Sequence, residues 1–165
     1  MRQLITFGLL LLTLTTFGQK KSETIKSKYS GVYSYGTDIE KSNVGTITIY
    51  HESGDTFLFY IELYRGAPSY NMGSLYGRLQ ITNDTGTFYS KLNKDDNGCK
   101  WTFTFKSDIL TIRTVDNLID CGFGNGVIAD GNFKKQPNKS SDNFIDMEGK
   151  TIYFKNIKPE DYYKD

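Results

Sequence analysis

The sequence predicts an all-β protein: a single antiparallel meander β-barrel of about eight strands, with a β-sandwich as the alternative. Residues 44–51 alternate as a half-buried strand does, and in residues 56–64 a purely apolar set recurs on one side with the same two-residue period: Phe57, Phe59, Ile61 and Leu63. The chain contains 12 Tyr and 11 Phe residues, and aromatic side chains favour pleated sheet over helix. Turn-forming Gly, Asn and Asp residues separate the apolar runs roughly every 8 to 12 residues, which is typical of small barrels and sandwiches.

The alternation predicts eight strands, over residues 29–36, 44–51, 56–64, 74–81, 87–92, 99–105, 109–115 and 132–135. In the third strand, Phe57 and Phe59 share the side that is expected to face the core, whereas Leu58 and Tyr60 share the outward side. Gly77 lies inside the fourth strand and predicts a bulge or a sharp bend there.

The barrel domain is therefore expected to span residues 29–135, followed by a short C-terminal extension over residues 136–165. Within the extension, residues 136–147 are loop-like, residues 151–154 predict an edge strand, and residues 159–163 predict one helical turn.

Residues 1–18 have the pattern of a secretory signal peptide. Arg2 precedes an apolar run, and Gly18 stands before the expected cleavage point at Gln19. No later segment approaches the roughly 20 apolar residues that a membrane-spanning helix needs. We expect a secreted or periplasmic protein with no membrane span after cleavage and a flexible start over residues 19–28. An uncleaved anchor is the alternative.

The charge balance argues against a nucleic acid as the partner. The chain has 20 Lys and Arg against 19 Asp and Glu, and loss of Arg2 with the signal peptide would leave 19 of each. A neutral chain lacks the basic surface that nucleic-acid binding requires. Recognition is expected to rest on shape and local contacts with a protein or a glycan.

The two cysteines predict one disulfide, between Cys99 and Cys121, because an exported chain meets an oxidising compartment. The bridge is expected to stabilise the fold, and the alternative is that it also fixes a working loop.

Residues 120–131 differ from the strands because they contain four Gly and two Asp. Glycines spaced in this way predict a wide turn that closes the barrel end. The alternative is that they turn successive N–H groups inward to accept an anion such as a carboxylate. The candidate binding residues of this barrel-end loop are Asp120, Gly122, Phe123, Gly124, Asn125 and Gly126.

A second candidate surface is the outward face of the sheet, where Tyr60 and Tyr76 are expected to stand exposed among polar side chains. Tyrosine offers apolar contact area with a polar tip, so it is enriched where proteins dock. Ordinary pairing between neighbouring strands is the alternative.

The sequence offers little for catalysis. The single histidine, His51, stands where a strand enters a turn, and no serine lies in a nucleophile-elbow pattern. Asp120 and Asp130 could pair in space, but nothing in their spacing distinguishes catalytic acids from turn-forming aspartates. Residues 93–98 match the first half of an EF-hand loop, but Thr104 stands where the bidentate Glu belongs. We expect a non-enzymatic protein without metal or cofactor, with a hydrolase as the less favoured alternative.

The interior of an eight-stranded barrel is just wide enough to be filled by side chains or to hold one small ligand. The large inward residues Trp101, Phe103 and Phe105 predict a filled interior. The alternative is a lipocalin-like carrier of a small apolar ligand.

Several local features resemble small exported bacterial barrels of the calycin or lysozyme-inhibitor kind. They are an aromatic first strand after Gly31, a meander of short strands, Cys121 within residues 120–124, and the closing run of residues 129–133. In such inhibitors a loop enters an enzyme cleft and meets catalytic carboxylates. The resemblance, over residues 29–135, implies an inhibitor of a cell-wall hydrolase that acts through a barrel-end loop.

Overall fold

A computed structural model describes residues 28–91 and 94–164. It shows a closed barrel of eight antiparallel strands in meander order, which confirms the predicted fold class. Each strand pairs with the next, and the first pairs with the last. The strands are β1 Gly31–Tyr35, β2 Val44–Ser53, β3 Thr56–Tyr64, β4 Met72–Thr82, β5 Thr85–Ser90, β6 Cys99–Lys106, β7 Ile109–Ile119 and β8 Gly131–Gln136.

The two ends of the barrel differ in their connections. Two-residue turns at residues 54–55, 83–84 and 107–108 form one end, hereafter the turn end. Because successive connections of an antiparallel meander alternate between the two ends, the four longer loops share the other end, hereafter the loop end. These loops are residues 36–43, 65–71, 91–98 and 120–130, and the last is hereafter the glycine loop.

The barrel interior is filled by side chains. Phe59, Trp101 and Phe103 are fully buried, and the ring centroid of Phe59 lies 5.2 Å from that of Phe103 and 6.3 Å from that of Trp101. The side chain of Phe57 also points into this core, whereas that of Leu58 points outward from the barrel wall, as the alternation in β3 predicts. Rings at these separations are in contact, so they occupy the volume that an internal ligand would need.

Gly77 does not mark a β-bulge. The register between β3 and β4 runs continuously through Gly77, so the expected bulge is wrong. A Cβ atom at this position would lie 2.7 Å from ring atoms of both Phe59 and Phe88. The glycine therefore makes room for two aromatic rings, and the register shifts occur instead in the β2–β3 and β6–β7 pairs.

The C-terminal segment, residues 137–164, covers part of the outer barrel wall and is hereafter the strap. In it, β9 Asn143–Ile145 pairs with β10 Thr151–Tyr153 as a separate two-stranded sheet, and α1 Pro159–Tyr162 follows. The predicted edge strand therefore does not join the barrel, because a closed barrel leaves no free edge. A second core lies between wall and strap and consists of Leu58, Tyr60, Tyr76, Phe144, Ile152 and Phe154.

The predicted signal peptide, residues 1–18, lies outside the described residues, and export stays a prediction. Lys28, the one described residue of the expected flexible start, forms an ion pair with Asp84 at the turn end. No helix in the described part of the chain is long and apolar enough to cross a membrane.

Candidate functional site

The glycine loop crosses the mouth of the barrel and is bonded to the opposite wall. The N–H of Gly124 donates to the carbonyl of Met72 at 3.0 Å. The carbonyl of Asn125 accepts from Asn71 Nδ2 at 2.7 Å and from Arg65 Nη1 at 3.2 Å. All three partners belong to the β3–β4 loop or to the first residue of β4. The tip of the glycine loop is therefore held in place across the mouth.

The glycines of this loop serve backbone turns and close contacts. Gly122 has φ +74° and Gly126 has φ +76°, a left-handed conformation that glycine adopts without strain. A Cβ atom at position 126 would lie 2.1 Å from Nη1 of Arg65. The alternative of an anion-accepting concavity has no support at Gly124, because the N–H of Gly124 is already bonded to a backbone carbonyl.

Phe123 is the side chain that the glycine loop directs into the mouth. It is partly buried and packs against the barrel core, where it contacts Trp101. Gly73 on β4 lies beneath it, and a Cβ atom there would lie 2.4 Å from Cγ of Phe123. Phe123 therefore closes the loop end of the barrel.

The base of the glycine loop is held by a disulfide and two carboxylates. Cys99 and Cys121 are bonded as predicted, with a sequence separation of 22 residues. Asp120 accepts from a backbone N–H of the β5–β6 loop at 3.3 Å. Asp130 accepts from the backbone N–H of Thr114 at 2.8 Å and from its hydroxyl at 2.6 Å. The loop is therefore bonded at its base as well as at its tip.

Large apolar side chains remain exposed around this closed mouth, and they are hereafter the apolar rim. They lie on the loops or strand ends of the loop end. The rim consists of Tyr70 (46% exposed), Met72 (43%), Tyr89 (52%), Ile119 (63%) and Ile128 (51%). Large apolar side chains that are exposed at one end of a fold make that end a candidate interaction site.

Tyr70 is the most unusual residue of the rim. Its φ of +49° lies in the left-handed region, which a bulky side chain rarely adopts. Its hydroxyl donates to Glu40 on the β1–β2 loop at 2.5 Å. This conformation holds an aromatic ring at the surface of the loop end, as residues in sparsely populated conformations often do at functional sites.

The apolar rim and the glycine loop together form the candidate site. No family model, curated protein or solved structure matches this chain. The site is therefore interpreted from its own geometry.

The second predicted surface is not exposed. Tyr60 and Tyr76 are 3% and 2% exposed, so the expectation that they form an accessible docking face is wrong. The strap covers both: Phe144 stacks on Tyr60 with ring centroids 4.0 Å apart, and the hydroxyl of Tyr76 donates to the carbonyl of Ile157 at 2.8 Å. Burial raises the pKa of both phenols. These tyrosines bind the chain's own C-terminal segment.

The histidine considered for catalysis lies at the opposite end of the barrel from the two aspartates considered with it. His51 lies at the turn end, with its Nε2 2.9 Å from the carbonyl of Gly54, while Asp120 and Asp130 lie at the loop end and bind backbone N–H groups. Within residues 28–91 and 94–164, no three His, Cys, Asp or Glu side chains are grouped to hold a metal ion.

The apolar rim and the β3–β4 loop were missed from the sequence. The rim residues do not form a periodic pattern, and they come from separate parts of the chain. The available signal was the presence of Tyr70 and Ile128 inside glycine-containing loops, where large apolar side chains have no strand face to cover.

Proposed function

We propose that this chain is an exported, non-enzymatic binding protein that docks a protein partner through its loop end, and that it inhibits a cell-wall hydrolase. The observation that carries the proposal is the apolar rim, with five large side chains between 43% and 63% exposed around one end of the barrel. A partner that covers them would remove apolar surface from water, which favours association.

The bonded glycine loop supports this proposal. Its tip is held by Arg65 and Asn71 and its base by the disulfide, so little conformational freedom is lost when a partner binds. Preorganised loops bind more tightly than mobile ones for this reason.

The local charge favours a cationic partner. The four loops of the loop end carry six acidic and four basic residues, a balance of minus two. Opposite charge on a partner would speed its encounter with this end. The ten residues are Asp38, Glu40, Asp95, Asp96, Asp120 and Asp130 against Lys41, Arg65, Lys91 and Lys94.

The carrier hypothesis has weaker support. Phe59, Trp101 and Phe103 occupy the interior, and Phe123 blocks the mouth. An apolar ligand would have to displace packed rings before it could enter.

The test is an inhibition assay on peptidoglycan with chicken-type, goose-type and invertebrate-type lysozymes. We expect saturable inhibition of at least one type by the wild-type protein, and its loss in Ile128→Asp. The matched control, Ile145→Asp, changes an equally exposed residue of the strap and should inhibit normally. Failure to inhibit any of the three types would contradict the hydrolase-inhibitor assignment.

A further inference from the structure

A cleft of about 370 Å³ opens on the barrel wall beside the β1–β2 loop and is hereafter the tyrosine cleft. It reaches the lower end of the size range of small-molecule sites, roughly 300–1,000 Å³. Tyr35 and Tyr64 line it, together with Ile39 and Val44. Both tyrosines are partly exposed, but the ring of Tyr35 packs against Phe133 of the barrel core, with ring centroids 4.7 Å apart, so Tyr64 supplies the aromatic surface of the cleft.

Hydroxyl groups are the polar component of the tyrosine cleft. Ser34, Thr37 and Thr46 line it in addition to the two phenols. Ser34 pairs with Thr46 across β1 and β2, and Thr46 pairs with Glu62 across β2 and β3. These side chains therefore form a row on the outer wall below Tyr64. Each hydroxyl can both donate and accept a hydrogen bond.

The phenol of Tyr64 is held in one protonation state. Its hydroxyl donates to the carboxylate of Glu62, which leaves the oxygen free to accept. Burial and this hydrogen bond raise the pKa of Tyr64 to about 12. The group therefore stays neutral over the physiological pH range.

The chemistry of the lining selects one class of ligand. All nine described residues that line the cleft are uncharged, and the carboxylate of Glu62 beside Thr46 and Tyr64 would repel an anionic ligand. The hydroxyl groups of Ser34, Thr37 and Thr46 argue against a purely apolar ligand, because such a ligand would offer them no hydrogen bond. A neutral sugar has hydroxyl groups for hydrogen bonding and a C–H face for contact with an aromatic ring.

A second, larger cleft has a lining of different chemistry. It measures about 630 Å³ and runs beside β8, where Lys134, Lys135 and Lys139 line it together with Asp108 and Asp142. Its lining contains no aromatic side chain among the described residues. It therefore lacks a surface on which a sugar ring could stack.

We propose that the tyrosine cleft binds one residue of a neutral glycan, with hydroxyl contacts to Ser34, Thr37 and Thr46 and a ring contact to Tyr64. The cleft adjoins the loop end, but its residues are not those of the apolar rim, so substitutions at Thr46 and Tyr64 test it separately from the docking function.

The test is a titration of the purified protein with neutral hexasaccharides of glucose, mannose and N-acetylglucosamine, followed by two-dimensional amide NMR. We expect at least one of them to give saturable shifts at Thr46 and Tyr64. Thr46→Val and Tyr64→Ala should weaken this binding by at least about tenfold. Thr87→Val, an exposed threonine on β5, should leave it unchanged.

Each variant is accepted only if its NMR spectrum keeps the dispersion of the folded barrel. A hexasaccharide of uronic acid serves as the charged probe and should bind more weakly than the best neutral one. The proposal is overturned if no neutral hexasaccharide shifts the cleft resonances, if the Thr46 and Thr87 variants bind equally, or if the charged probe binds more tightly.

Discussion

The ring of Phe123 lies over the indole of Trp101, with ring centroids 5.9 Å apart and ring planes inclined by 38°. Trp101 belongs to the filled interior, and Phe123 belongs to the glycine loop. The contact joins the loop to the core, so the loop closes the barrel while its flank presents the exposed Ile128. Closure and docking are therefore combined in one segment.

Phe123→Ala should lower the free energy of unfolding by about 2 kcal/mol, below the range for a fully buried Phe because this ring is only partly buried. It should also expose Trp101, the single tryptophan, to a soluble fluorescence quencher such as acrylamide. Phe123→Leu keeps most of the apolar volume and should show a smaller change in both. Unchanged quenching in Phe123→Ala would show that the ring does not close the mouth.

Gly73→Ala should destabilise the protein by about 1–3 kcal/mol because the added methyl group overlaps the ring of Phe123. The same substitution in a Phe123→Ala background should cost much less, since the overlapping ring is gone. A double-mutant cycle in urea measures this coupling. Additive effects of the two substitutions would contradict the close contact between these residues.

Replacement of both Cys99 and Cys121 by Ala should lower the free energy of unfolding by about 3 kcal/mol, as expected for a closed loop of this length. The hydrogen bonds from Arg65 and Asn71 to the loop tip do not depend on the bridge. Urea unfolding of the wild-type and double-Ala proteins tests the expectation. Equal midpoints would show that the bridge adds no stability.

An ion network joins the strap to the barrel, and it predicts that the stability of the protein depends on pH. Glu52 accepts from Arg78 and Lys158, and Arg78 also bonds Glu160. Burial alone would raise the pKa of Glu52, but the hydrogen bonds from Arg78 and Lys158 outweigh it and hold the pKa below its ordinary value. The resulting stabilisation is complete above the unfolded pKa of about 4.3 and is lost as the pH falls through the lower folded pKa.

The wild-type protein should therefore lose more stability than Glu52→Gln between about pH 5 and about pH 3, by about 1–2 kcal/mol. Asp55→Asn, at an exposed turn residue, serves as the control and should follow the wild type. The measurement is the urea midpoint at each pH. If the urea midpoints of the wild type and Glu52→Gln change in parallel with pH, the ion network around Glu52 does not stabilise the protein.

The barrel was predictable from the sequence because the strand signal is local. Phe57, Leu58 and Phe59 alternate between core and outer wall as the two-residue period requires. The disulfide was also predictable, because two cysteines allow only one intramolecular pairing.

The burial of Tyr60 and Tyr76 beneath the strap could not be predicted from a local sequence pattern. Phe144 and Ile152 lie in strands of only three residues, too short for a clear alternation, and they reach the wall through long-range packing. The apolar rim was missed for a related reason, since its members come together only once the barrel has closed.

The most direct test of the docking function is a comparison of three baits used to capture proteins from the organism's own surroundings: the wild type, Ile128→Asp and Ile145→Asp. Ile128 and Ile145 are 51% and 59% exposed, so the two substitutions disturb the surface to a similar degree at different places. We predict that the wild type and Ile145→Asp enrich the same partner and that Ile128→Asp loses it by at least about tenfold. Equal capture by all three baits would contradict a docking surface at the loop end.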